Sequence, residues 1–465
     1  MANPTLNSHR SLVVAAPFLA ALSLGGTIGY PNTLLQQLQS NSSTIKLDFE
    51  TLSWIGSIHG FASIPSILMP SLMQWKGRKL SFLFSCLLVA IGWILAYTAQ
   101  SISTILISES FHGLGSQCVL IVSYCSMSEF LSPKFRNICI SAFGIWQSSG
   151  IAAIAIIGQY GHWKTSALIM LIPIALGMLI AWLVWPESPS WLALQGRYKE
   201  CETTFKWLRG DGEKANKELL ELIQARKEDD KRESLYKSIA RRDFYIPVGL
   251  MFLLLSSAYW SGFMVLIVYS HLIVKKTTND NNLVHYSTIA LNILLILGNT
   301  NCTILMKRMN NKTLNLIGCV GVLLSSFFCF TVTLLQNIGV LTYSVLCLCG
   351  LAIYIFVEMG FLLPSACVIA MEITAVKYRG IGGALFVVFS SLLHFSSLKL
   401  APYMFEYMNL WGTFLVYFIN TAVSCLIIWK FVPETRNKTL QELEDYFNHG
   451  KFIKRFTQDV TVPII

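Results

Sequence analysis

Twelve apolar runs, each about 20 residues long or longer, fill most of this 465-residue chain and constrain its fold more than any other feature. They fall near 11–30, 53–74, 81–98, 103–127, 137–158 and 165–185. After a polar break they resume near 244–271, 284–306, 314–335, 341–373, 379–402 and 409–431. About 20 apolar residues in a helix cross a hydrocarbon core of about 30 Å. Within that core each backbone amide must be satisfied inside its own segment, so each run is expected to be a helix. Only 13% of residues are charged, against roughly 25% in an ordinary soluble domain. The expectation is an all-α membrane protein with twelve transmembrane helices. The first run lacks a short basic stretch before it and a small-residue cleavage site after it, so it reads as a span and not as a leader.

Charge orients these spans. With the amino terminus in the cytoplasm, both termini and the 186–243 stretch lie inside, and all but five of the 35 Lys and Arg share that side. The five are Lys46, Lys164, Lys275, Lys276 and Lys399. This is the positive-inside bias. The net charge of +10 is then a basic face beside anionic lipid and calls for no nucleic acid. Of the sequons at Asn41, Asn301, Asn311 and Asn437, this topology puts only Asn41 in an external loop, where it is expected to carry glycan. The 12 cysteines lie almost entirely inside spans and read as small apolar residues. With no CxxC and no His/Cys cluster at zinc spacing, neither a metal nor a cofactor is expected.

The two halves echo each other. After the fourth span comes "SEFLSPKFRN" and after the tenth "MEITAVKYRG", so Glu129 precedes Arg136 as Glu372 precedes Arg379. "WPESP" after the sixth span has its counterpart in "VPETR", which puts Glu187 and Glu434 in matched places. Two motifs repeated at nearly one offset indicate a duplicated six-span unit. The expected organisation is a bundle over 1–185, a cytoplasmic helical linker over 186–243, a second bundle over 244–432 and a cytoplasmic tail over 433–465. The two six-helix bundles are expected to be pseudo-symmetric.

With "PESPSWLALQGRYKECETTFKWLRG", "VPETRNKTLQELEDYF", the two Glu-to-Arg loops and the basic "WKGRK" at 75–79, the chain resembles the sugar porters of the major facilitator superfamily, and more narrowly the insect facilitated trehalose transporters. The resemblance covers nearly the whole chain. It implies the major facilitator fold, in which two bundles rock about a central site. It also implies that Arg78, Glu129, Arg136 and Glu187 in the first half, with Arg308, Glu358, Glu372, Arg379 and Glu434 in the second, form gating ion pairs that hold the outward-facing state. Pro186 and Pro189 would stop the sixth helix and fix Glu187 at its end.

Several positions depart from the family pattern. Gln74 or Lys76 stands where the loop between spans two and three usually begins with Asp. Between spans eight and nine the loop reads "KRMNN", with Lys307 in place of the Asp, and in the fourth span Glu109 replaces the usual Arg. In the seventh span Tyr259 and Met264 occupy the places of an amide pair. The tenth span's Trp would align with Cys367, and the eleventh span's amide falls on His394. Sugars are held by fixed amides and by aromatic faces that cover the ring. The polar residues left to do this are Trp146 and Gln147, Tyr259, Trp260 and Tyr269, Asn292 and Asn299, and His394. Glu358 is expected to gate, and Glu109 with His112, three residues apart on one helix face, to pair.

The first span contains no acidic residue that could carry a coupling proton, which favours downhill facilitation. No GxxxxGK[ST] supports ATP-driven pumping. The linker and tail carry apolar residues at helical spacing, and a capping box runs from Thr439 to Glu442 ahead of Leu440, Leu443 and Phe447. Neither holds a nucleophile with a base, so an enzyme is not expected. The expected function is a monomeric plasma-membrane carrier that moves trehalose or a hexose-like sugar by facilitated diffusion. The alternatives are a transporter-like sensor and a carrier of another small organic solute.

Overall fold

The structure is a computed structural model that describes residues 4–40, 45, 47–212, 216–220, 223, 242–342, 345–374, 379–436, 438, 442–443 and 446–447. Among these residues, twelve helices are long and apolar enough to cross a membrane. Spans 1 to 6 are Leu12–Leu38, Phe49–Lys76, Arg78–Thr98, Ile102–Phe130, Ile138–Tyr160 and Trp163–Val184. Spans 7 to 12 are Arg242–Val268, Leu283–Leu305, Asn311–Asn337, Leu346–Glu372, Gly380–Tyr407 and Asn409–Phe431. Side chains fix the starts of several. Asp48 Oδ1 accepts from Thr51 N at 3.2 Å ahead of span 2, and Ser101 Oγ accepts from Thr104 N at 3.3 Å ahead of span 4.

Spans 1 to 6 pack among themselves and so do spans 7 to 12. Span 1 lies on spans 5 and 6, and span 3 on spans 4 and 6. In the second half, span 9 lies on spans 10 and 12. Two long seams join the halves, span 2 against span 11 and span 5 against span 8. A six-span offset turns 2 into 8 and 5 into 11, so the two seams are counterparts. Spans 1 and 7 are the most enclosed, at 67% and 72% buried over their apolar windows, while span 6 at 28% faces lipid. Glycine makes the closest approach possible: a methyl on Gly25 would fall inside the carbonyl of Gln147, and one on Gly150 inside that of Leu22. Close backbone contact through small residues is how helices associate where no hydrophobic drive separates them from lipid.

Three spans are irregular in ways that hydropathy hides. Span 7 runs as a helix over Arg242–Tyr259, breaks at Gly262, where φ is +98°, and resumes over Phe263–Val268 and Ser270–Thr278. Span 10 contains a π-turn at Glu358–Leu362, and span 2 tightens to a 3₁₀ turn at Ile64–Leu68 around Pro65. The first helix continues past the apolar run to Leu38, because Asn32 and Thr33 are polar but buried within the bundle.

The linker contributes helices Pro189–Leu194 and Tyr198–Arg209, which share an apolar cluster of Trp191, Leu192, Cys201, Phe205 and Leu219. Trp191 Nε1 donates to Gln74 O at 2.8 Å and Arg209 Nη2 to Leu131 O at 2.7 Å, docking the linker beneath spans 2 and 4. This side of the molecule is the linker face. Leu443 and Phe447 of the tail are buried, while Thr439 and Leu440 lie outside the described residues.

Candidate functional site

On the linker face the two halves repeat one arrangement. Gly77, at φ +87°, turns the chain into span 3, whose first N–H groups have no partner within the helix. Glu187 supplies one: its Oε1 accepts from Arg78 N at 2.5 Å and lies 3.4 Å from Lys79 N. The Arg78 side chain then reaches the end of span 4 and grips Glu129, Nε to Oε2 at 2.8 Å and Nη2 to Oε1 at 2.7 Å. In the second half Glu434 accepts from Asn311 N at 3.1 Å and Lys312 N at 3.2 Å at the start of span 9. Asn311 Nδ2 donates to Glu372 Oε2 at 3.0 Å at the end of span 10. The layout is the same, but a guanidinium in one half is an amide in the other.

In this arrangement several residues expected in ion pairs make other contacts. Glu187 and Glu434 serve as helix caps, because the unpaired N–H groups and positive end of a helix draw a carboxylate. Arg308 is exposed and joins no ion pair among the described residues, and Asn311 holds the place matched to Arg78. Aligning "QWKGR" with "KRMNN" would have shown this. Among the described residues Arg136 joins no ion pair and its buried Nε has no hydrogen-bond partner. Arg379 opens the helix of span 11, but its side chain lies outside the described residues, as does Asn41. Glu358 is fully buried in the π-turn, midway along span 10 and 14 residues from Glu372, about 21 Å of helix, with Ser261 and Tyr354 beside it. It is too deep for a linker-face network.

Burial pushes the Glu187 carboxyl above its ordinary range and outweighs the N–H donors and Arg78, which act in the opposite direction. A carboxyl raised on folding favours the folded state at low pH, and this contribution fades as pH climbs from about 4.5 through the raised value. Melting temperatures measured against pH for the native protein and Glu187→Gln are therefore expected to converge or cross as pH rises. Parallel curves would refute this.

The candidate substrate residues separate in space. Tyr259, at the break in span 7, stacks on His394 of span 11 with ring centroids 5.8 Å apart and planes 26° apart. Trp260 beside it donates Nε1 to Ser396 Oγ at 3.1 Å. In the first half Trp146 is 39% exposed and stacks on Phe18 of span 1, while the Gln147 side chain makes no hydrogen bond among the described residues. Asn299 crosses the halves, Nδ2 to Ser148 Oγ at 3.0 Å, so it fastens spans 5 and 8. Asn292 is buried in span 8. Tyr269 is fully buried, donates to Leu398 O at 3.3 Å and sits against Gly56, which makes it a packing residue. Glu109 and His112 pair at 3.2 Å as expected, buried beneath Tyr30 and Trp93.

Away from the linker, on the far face, polar groups that sequence reasoning missed join the halves. His271 Nδ1 lies 2.8 Å from Asn32 Oδ1, and its Nε2 lies 3.2 Å from Gln39 Oε1. Gln36 Nε2 meets His285 Nδ1 at 3.4 Å, and Ser53 Oγ donates to Lys399 O at 2.8 Å. Deeper in the same seam, Ser63 Oγ donates to Ser391 Oγ at 2.7 Å, and His59 faces His394 with centroids 5.9 Å apart. The signal for His59 was present: an ionisable residue inside a span is costly and seldom idle. At the linker face no hydrogen bond or ion pair between described residues joins the halves. A far-face cleft of about 590 Å³, lined by Gln37, Gln100, His162 and Lys164, belongs to the first half alone.

Comparison with known proteins matches this architecture. A facilitated trehalose transporter of Apis mellifera ligustica, Tret1, is 25% identical over 461 residues, covering 96% of this chain and 89% of the relative. The sugar transporter ERD6-like 2 of Arabidopsis thaliana is 26% identical over 446 residues, covering 93% and 92%. Among solved structures, the proton:xylose symporter XylE bound to 6-bromo-6-deoxy-D-glucose superposes with a TM-score of 0.77 at 17% identity, covering 95% of this chain and 99% of that one. The inward-open xylose transporter XylE from E. coli gives 0.75 at 18%, covering 94% and 99%. These likenesses establish the fold of a multi-pass membrane protein. A family model for "Sugar (and other) transporter" matches residues 17–447, and the chain belongs to that family.

Proposed function

We propose that the protein carries a neutral sugar, trehalose or a hexose-like molecule, down its gradient by alternating access. The carrying observation is the aromatic and imidazole group at the break of span 7, where Tyr259 stacks on His394 and Trp260 is fixed by Ser396. Flat faces with fixed hydrogen-bonding edges suit a sugar ring. One relative is named for trehalose and another for sugar, which supports the substrate class. With 30 of 35 basic residues assigned to one side, the linker face is cytoplasmic, along with both termini, and Asn41 is external. Bonds across the far face, with none between described residues across the linker face, support an inward-facing arrangement. The linker-face bracket of Arg78, Glu129 and Glu187, with Asn311, Glu372 and Glu434, holds each half rigid as the halves rock. Span 1, without an acidic residue, favours facilitation over proton coupling.

The test is uptake of labelled trehalose and glucose into oocytes, at measured surface density, for the native protein and His394→Ala. Saturable native uptake that stops at equal concentrations, with a raised KM in the variant, is the expected result. No uptake of either sugar by surface-exposed native protein would overturn the substrate assignment.

A further inference from the structure

His59 is the only ionisable side chain in the interior of span 2, and the residue is 7% exposed. Its Nε2 lies 3.1 Å from Ser116 Oγ, a hydroxyl that also reaches Gly113 O at 3.3 Å. Its Nδ1 is buried and has no hydrogen-bond partner among the described residues. Across the seam stands His394, inclined at 45°, with its other flank on Tyr259. Contacts that involve neither imidazole hold the two rings apart: Ser63 bonds Ser391 one turn along, and a methyl on Gly60 would approach Phe395 N to 2.7 Å.

The orphan nitrogen defines what can satisfy it. A neutral imidazole has one donor and one acceptor. When Ser116 donates to Gly113, Nε2 carries the proton and Nδ1 needs a donor; when Ser116 donates to Nε2, Nδ1 is an N–H and needs an acceptor. A hydroxyl answers both cases, whereas an ammonium answers one and a carboxylate the other. We infer that His59 is a specificity-determining residue that meets a hydroxyl of a neutral polyhydroxylated solute, opposite His394 on the other half. The inference rests on the transport reading above. Because the two imidazoles come from opposite halves and stand 5.9 Å apart, a solute hydroxyl that reaches Nδ1 lies beside both rings only while spans 2 and 11 are together. The bound solute therefore favours that closed seam.

Two substitutions separate this role from a packing role. His59→Asn puts an amide near the place of Nδ1 and gives up Ser116, whereas His59→Gln reaches the place of Nε2 and leaves Nδ1 unreplaced. Uptake kinetics for labelled glucose and trehalose are measured at equal surface density, and each variant is checked for a single monodisperse species. His59→Gln is expected to raise KM roughly tenfold, the value of one good hydrogen bond, with Vmax little changed, while His59→Asn stays near native. Among monodeoxy glucose analogues, one is expected to show equal KM in native and His59→Gln protein, which identifies the hydroxyl concerned. The inference is overturned if His59→Asn is the damaged variant, or if every analogue retains the full shift. Native protein that takes up neither sugar overturns the transport reading and this inference with it; native uptake with His59→Gln indistinguishable from native overturns the inference alone.

Discussion

Arg78→Ala is expected to lower the melting temperature of the detergent-solubilised protein sharply and to reduce uptake to a small fraction of native. The Arg78 and Glu129 side chains are 11% and 17% exposed, so the substitution strands a carboxylate away from water. Removing one partner of such a pair costs about 3 kcal/mol. It also removes the bond from Nη1 to Met73 O that ties the end of span 2 to span 3. The double substitution Arg78→Ala with Glu129→Ala should recover part of the loss, because no charge is left unpaired. Asn311→Ala at the matched place of the second half gives up the amide's bonds to Glu372 Oε2 and Thr435 Oγ1 but leaves no ion pair broken, and is expected to cost less, about 1–2 kcal/mol. Thermal melts of the four proteins decide the matter; an Arg78→Ala protein as stable as Asn311→Ala would refute the account.

Gly25→Ala is expected to be nearly as severe, against the usual direction of such a change. Replacing a helical glycine by alanine ordinarily stabilises by about 1 kcal/mol. At Gly25 the added methyl would overlap the carbonyl of Gln147, a backbone atom that cannot rotate aside, so spans 1 and 5 must separate along their length. Gly249 in span 7 has nothing within 4 Å of an added methyl and serves as the control. Recovery of monodisperse protein should fall more than tenfold for Gly25→Ala and hold or rise for Gly249→Ala. Equal recovery would mean that the two helices are not clamped as described.

How much of this was legible follows from how each feature is encoded. Span count needs only the length and polarity of each run, so the twelve helices could be read directly. Glu187 and Glu434 announced themselves as a repeated motif, yet their partners are backbone N–H groups, which leave no trace in side-chain identity. Asn311 was hidden because an ion pair was sought and an amide does the work. Glu358 was misplaced because a motif fixes a residue's neighbours in the chain and not its depth in a membrane. The break in span 7 falls at Ser261 and Gly262, but Ser149 and Gly150 lie within the unbroken helix of span 5, so the residue pair alone did not mark it. His59 and His394 are 335 positions apart and meet only once spans 2 and 11 are laid together.

The far-face seam closes through imidazoles, amides and hydroxyls, with Lys399 above the Trp54 ring at 4.0 Å and attracted by the Glu50 carboxylate as its charged contributions. Parting such a seam chiefly exchanges neutral hydrogen bonds for bonds to water, so ionic strength has little hold on those bonds. At physiological salt the Debye length is about 8 Å, and dissolved ions act chiefly on exposed charge. The linker face, where basic side chains such as Lys76 and Arg308 stand exposed, is where salt can weigh on the balance between states. The two mouths of the carrier thus answer to different properties of the solutions they face.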